Sequence, residues 1–96
     1  MNEKQKQVTK FLESLVHKRF SIESLKDILT EYFNEPIELE YANEEDDDVL
    51  TDYNLMFDSN NDETYGYFDI YVLKMRRKDF DGSDLYVTEV GYEFEI

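Results

Sequence analysis

The segment Asp58-Ser59-Asn60-Asn61-Asp62 carries oxygen ligands at the first, third and fifth positions of a calcium-binding loop. The match ends there. The sixth position, glycine in such loops, is Glu63, and the twelfth, a bidentate glutamate, is Asp69. The flanking segments read as strands rather than helices, so a polar turn is expected. Asp79-Phe80-Asp81-Gly82-Ser83-Asp84 reads as a second such turn. Five consecutive acids, Glu44, Glu45, Asp46, Asp47 and Asp48, could draw a divalent cation only unspecifically. His17 is the single histidine, near the end of an expected helix, where it meets the dipole or solvent. The chain has no cysteine, which removes disulfides, thiolate metal sites and a thiol nucleophile together. No serine lies in a nucleophile motif, and no glycine-rich loop is present to hold a phosphate. With 24 Asp and Glu in 96 residues, two carboxylates can always be paired on paper for acid–base work, so the pairing carries no information. The expectation is a protein that is not an enzyme, with no catalytic residue, no metal and no cofactor.

The informative quantity is the charge. The formal net charge is −14 on 96 residues. Charge of this size bears on partners and association rather than on fold. It argues against direct binding to nucleic acid and to an anionic membrane, both of which favour basic surfaces. It is also unevenly placed. Residues 1–36 hold six bases and six acids, whereas residues 37–96 hold eighteen acids against four bases. Between Lys26 and Lys74 there is no base, while Glu38 to Asp69 supplies twelve acids.

The elements that must position these charges follow from periodicity. One domain is expected at this length, spanning 1–96. Disorder, the common reading of high charge, is opposed by 15 aromatic residues in regular patterns. Val8, Phe11, Leu12, Leu15 and Val16 form one helical stripe, predicting a helix over 3–17 closed by Lys18 and Arg19. Ser21 reads as an N-cap, with Glu23 in the first turn and Phe20 and Leu25 at staple spacing. Ile22, Leu25, Ile28, Leu29, Tyr32 and Phe33 give a second helix over 22–34. Asn34 suits a left-handed cap and Pro36 prevents continuation. The short link between the helices favours a helical hairpin.

At Ile37 the period changes from that of a helix to that of a strand. Strands are expected over 37–41, 49–58, 65–75 and 85–96, with short turns between them. The fold class is therefore α+β: an N-terminal helical hairpin on one face of a four-stranded antiparallel meander, in the order ααββββ. Phe68, Ile70 and Val72 are expected to face in, as are Val90, Tyr92, Phe94 and Ile96. The opposite, open face would collect Glu38, Glu40, Asp52, Asn54, Asp58, Asp69, Glu89, Glu93 and Glu95, with Tyr67 and Tyr71 among them. A solvated polar face is ordinary for an antiparallel sheet, and tyrosine on a strand can reflect β-propensity alone. An ordinary solvated face mixes signs, because like charges opposite one another destabilise a sheet. Here the bases are missing, and tyrosine is enriched in interfaces. The candidate partner-binding residues are Glu38, Glu40, Asp52, Tyr67, Asp69, Tyr71, Glu89 and Glu93, with the acidic loop Glu44–Asp48 at one end. Arg76-Arg77-Lys78, the one basic cluster, reads as solvated loop or as a tie to that acidic loop.

In length, paired helices, sheet and acids from Glu38 to Asp69 and Glu89 to Glu95, the chain resembles small phage-type inhibitors that imitate DNA, such as the uracil-DNA glycosylase inhibitor family. It is similar in size and charge to anti-CRISPR and anti-restriction proteins. The resemblance is one of outline; no motif residue carries over. It implies a cytoplasmic, non-enzymatic inhibitor that presents carboxylates where phosphates would lie. Its partner would be a basic, nucleic-acid-binding protein, with no direct contact to nucleic acid or membrane, and the chain itself a monomer or homodimer. Two alternatives stay open: an immunity protein or antitoxin with one cognate toxin, whose acids steer association, and a small accessory domain whose charge confers solubility. A prophage or defence gene cluster would favour the first reading, and an adjacent toxin gene the second. The N-terminus Met1 to Gln7 has no apolar stretch behind it, so no signal peptide or membrane span is expected.

Overall fold

A computed structural model describes residues 2–41, 51–74 and 85–95. The expected acidic loop Glu44–Asp48, the start of the second strand at 49–50, the basic cluster Arg76–Lys78, the turn at Asp81-Gly82 and the inward-facing Ile96 lie outside these residues. The chain is α+β, with two helices and an antiparallel sheet. Its elements run α1 (Glu3–Glu13), β1 (Arg19–Phe20), α2 (Ile22–Phe33), β2 (Glu40–Tyr41), β3 (Thr51–Ser59), β4 (Gly66–Lys74) and β5 (Leu85–Phe94). The strand order is β1-β5-β4-β3-β2, and every pairing is antiparallel. The four strands after α2 form the expected meander. The fifth was not expected: Arg19 and Phe20, between the helices, pair with Tyr86 and Leu85 at the sheet edge. None of the described helices is long and apolar enough to cross a membrane.

Helix α1 begins with a capping box. The Gln5 N–H donates to Asn2 Oδ1 at 2.8 Å and the Asn2 N–H donates to Gln5 Oε1 at 3.0 Å, satisfying two otherwise orphaned donors. The helix ends at Glu13, short of the expected residue 17. Beyond it the turns tighten, with the N–H of Leu15 and of Val16 donating to the carbonyls of Leu12 and Glu13. His17 then takes a left-handed conformation at φ 68°. Its N–H donates to the Val87 carbonyl at 2.8 Å, and the Val87 N–H donates back to Lys18 at 3.0 Å. Pairing with β5 thus replaces the last helical turn. Lys18 and Arg19 serve a strand edge, not a helix end, and residues 14–21 are more than a hairpin link.

Helix α2 follows its sequence signals. The Ser24 N–H donates to Ser21 Oγ at 3.1 Å, and Asn34 closes the helix at φ 55°. The expected strand over 37–41 shrinks to Glu40–Tyr41. Ile37 is buried in the core, and its N–H donates to Thr30 Oγ1 at 3.3 Å, so this stretch is held to α2 rather than to β3.

One buried cluster joins the elements. Val8, Leu12 and Leu15, Leu25, Leu29 and Phe33, Leu55 and Phe57, Phe68, Ile70 and Val72, and Leu85 and Val87 all belong to it. Phe33 sits at the centre, its ring centroid 5.8 Å from Phe57 and 5.6 Å from Phe68. Phe11 of α1 stacks on Tyr32 of α2 with centroids 3.8 Å apart. Burial pushes the pKa of the Tyr32 hydroxyl up.

Strand β5 changes phase partway along. The register with β4 shifts between Tyr71 and Val72, so Tyr71 faces Glu89 while Val72 faces Val87, and Thr88 is the extra residue. The Thr88 hydroxyl donates to the Tyr71 carbonyl at 3.1 Å. The bulge allows Leu85 and Val87 to be buried while Val90 and Phe94, of opposite parity, also pack against the core. Tyr92 shares that parity and was expected inside. It lies at the margin of the core, against Phe94, and stays 38% exposed.

Candidate interaction surface

Register shows how the open face is laid out, because residues paired across antiparallel strands share a face. At one end Asp58, Tyr67 and Glu93 form a row across β3, β4 and β5. The next row runs Glu40, Met56, Asp69 and Gly91 across β2 to β5. The third runs Asn54, Tyr71 and Glu89, and the fourth Asp52, Leu73, Tyr86 and Arg19. In the first and third rows a tyrosine of the central strand has a glutamate beside it on β5. Tyr67 is 55% exposed, Tyr71 38% and Met56 39%. Gly91 has no side chain to stand between its neighbours. A Cβ placed there would meet the Asp69 and Tyr71 side chains at 3.6–3.7 Å, so these two flank the glycine.

The expected site residues divide into groups. Tyr67, Asp69, Tyr71, Glu89 and Glu93 come together on β4 and β5, and Glu40 joins them through β2. Asp52 is in register with Leu73, in the fourth row and away from Tyr67. Glu38 precedes β2. Its carboxylate is 3.2 Å from Lys26 Nζ, a surface pair that leaves both side chains substantially exposed. The expected absence of bases holds in the first three rows and fails in the fourth. Arg19 is brought there by β1, and the neighbouring His17 Nδ1 is 3.0 Å from the Tyr86 hydroxyl. The face is therefore uneven along the strands, with no base in its first three rows and Arg19 at the far corner.

Sequence reasoning missed Met56 as a member of the face, and Arg19 as its boundary. Met56 alternates with Leu55 and Phe57, so parity alone could have placed it. Arg19 could not be placed, because a two-residue strand has no period.

At the acidic end the surface is concave. Pro36, Glu38, Glu40, Met56, Asp58 and Tyr67 line a slot of about 270 Å³. The nearby turn that resembled a calcium loop is tied up in its own hydrogen bonds. Ser59 Oγ and Thr64 Oγ1, both buried, lie 3.0 Å apart, and Ser59 Oγ accepts the Asn61 N–H. Asn61 Oδ1 accepts the Glu63 N–H, and the Asn61 carbonyl accepts those of Thr64 and Tyr65. The turn is anchored to α1, where Asn2 Nδ2 donates to the Glu63 carbonyl at 3.0 Å. Among the described residues no group of three or more His, Asp or Glu is placed to hold a metal ion. Compared with family models, curated protein sequences and solved structures, the chain matches none, so its own geometry is the basis for a functional reading.

Proposed function

We propose that this chain is a non-enzymatic inhibitor that occupies a basic, nucleic-acid-binding surface of another protein in place of DNA. The observation that carries the reading is the ordered alternation of carboxylates and exposed tyrosines over the first three rows of the open face, with the two helices behind the sheet. Asp58 and Glu93 flank Tyr67 from neighbouring strands, which places them ~10 Å apart at the usual strand spacing. That is about the Debye length at ~0.1 M salt, so their fields overlap outside the surface at low ionic strength and are screened as salt is added. A groove built for DNA gains affinity by neutralising such a field. Carboxylates fixed on strands enter it without the ordering cost of a flexible chain. Exposed tyrosines add contact area that a bare acidic surface lacks.

The test is a pull-down from host lysate at low and moderate salt, with duplex DNA as competitor, using the wild type and the variant Asp69→Lys/Glu93→Lys. A DNA-binding protein released by duplex DNA, by salt and by the double reversal is the expected result. Capture that survives both excess DNA and the reversal excludes mimicry. If the captured protein is then a single toxin, the immunity reading replaces it.

A further inference from the structure

The slot at the acidic end of the face is more specific than a field of negative charge. We infer that it receives one arginine side chain of the partner, with the guanidinium over the ring of Tyr67. This rests on the basic-surface reading above and specifies the chemistry of its contact. The slot combines an exposed aromatic ring, an apolar wall and carboxylates at its rim. Tyr67 presents more than half of its surface, and Asp58 is its cross-strand neighbour. Met56 and Pro36 supply apolar surface along which the methylene stem of a long cationic side chain can lie. Glu40 and Asp58 have no ion-pair partner among the described residues, whereas Glu38 is already met by Lys26 at 3.2 Å.

The molecule contains the same chemistry in an occupied form. On its helical side Tyr32 has Lys4 Nζ 5.4 Å from the ring centroid. Tyr67, flanked by carboxylates, is the counterpart that no cation of the described residues covers. Arginine fits it better than lysine for two physical reasons. A planar guanidinium stacks on an aromatic face and offers paired N–H donors to a carboxylate at its edge. It is also more weakly hydrated than an ammonium, so less is lost in leaving water. A groove that binds phosphates uses such arginines, and this slot would take one from it.

The experiment uses the full chain and two capped hexapeptides of equal charge, one with arginines and the other with lysines at the same positions. Affinities are measured by NMR titration at low salt on wild type, Tyr67→Leu, Tyr67→Phe and Asp58→Asn. The arginine peptide is expected to bind wild type about three- to five-fold more tightly than the lysine peptide. That ratio should persist in Tyr67→Phe, which keeps the ring, and fall to about one in Tyr67→Leu at an unchanged melting temperature. Asp58→Asn should weaken the arginine peptide. Equal binding of both peptides to wild type, or a ratio that survives Tyr67→Leu, overturns the slot and leaves the basic-surface reading standing. If neither peptide binds, the basic-surface reading falls with it.

Discussion

The same three strands, β3 to β5, carry two faces of opposite character. On one, Leu55 and Phe57 of β3, Phe68, Ile70 and Val72 of β4, and Val87 of β5 are buried. On the other, Asp58, Tyr67 and Glu93 occupy one row and Met56, Asp69 and Gly91 the next, with the exposed Tyr67 and Tyr71 both on β4. Alternation makes such a division cheap, because each successive side chain changes face. The use made of it differs. The inner face is matched by helix residues from within the chain. The outer one concentrates like charge, which costs stability in a sheet and is tolerated only when it is modest or useful. Two glycines of the sheet, Gly66 and Gly91, mark the same contrast. A Cβ on Gly66 would lie 2.4 Å from the Glu93 carbonyl oxygen, so the close approach of β5 there requires glycine. A Cβ on Gly91, on the open face, would make only ordinary contacts.

The sharpest way to break this comparison is through the core. Replacing Leu25, Leu29 or Phe68 by alanine is expected to cost ~2–5 kcal/mol, since each is fully buried. Alanine at Asp69 or Glu93 should leave stability unchanged or raise it. Urea titration of these variants decides the matter, and acids that prove as costly as the leucines would mean that the faces are inverted. Next in size is Gly66→Ala, expected to lose ~1–3 kcal/mol through overpacking against backbone, while Gly91→Ala should be close to neutral. Thermal melts of the pair test whether close packing is confined to the inner side.

Sodium chloride offers a third, milder perturbation. Screening of a net charge of −14 should raise the melting temperature between low and moderate salt, while a flat or falling trend would show the acids to be already paired. Asn2→Ala, which removes the cap of α1 and its tie to the turn, should cost ~1 kcal/mol in the same assay. The smallest effect is expected at Lys26→Ala. Its pair with Glu38 is exposed and contributes no more than ~1 kcal/mol, so a larger loss would place that pair among the structural contacts.

Much of this architecture was legible before any coordinates. The stripe Leu25, Leu29, Phe33 with Ser21 before it and Asn34 after it defines α2 at both ends, because capping is local chemistry. The alternation through Leu55, Phe57, Phe68, Ile70 and Val72 gave the inner face, and the charge count gave the acidic character of the outer one. Strand ends and helix ends that depend on distant partners were not legible. The end of α1 is set by Val87, seventy residues away from His17 in sequence. The start of β2 at Glu40, rather than at Ile37, follows from the tie of Ile37 to α2.

What the sequence determined by itself is therefore everything that rests on period, cap and composition: two amphipathic helices, alternating strands in order, a neutral half and an acidic half. What only the tertiary structure decided is everything that rests on register. The bulge at Thr88 shifts β5 by one residue, so that Leu85 and Val87 lie inside along with Val90 and Phe94. The pairing of Arg19 with Tyr86 brings a base to the corner of an acidic face. The row that sets Tyr67 between Asp58 and Glu93 joins residues of three strands. The reason is physical. Period and capping act over one or two turns of chain, whereas register is chosen by the packing of a whole sheet against its core.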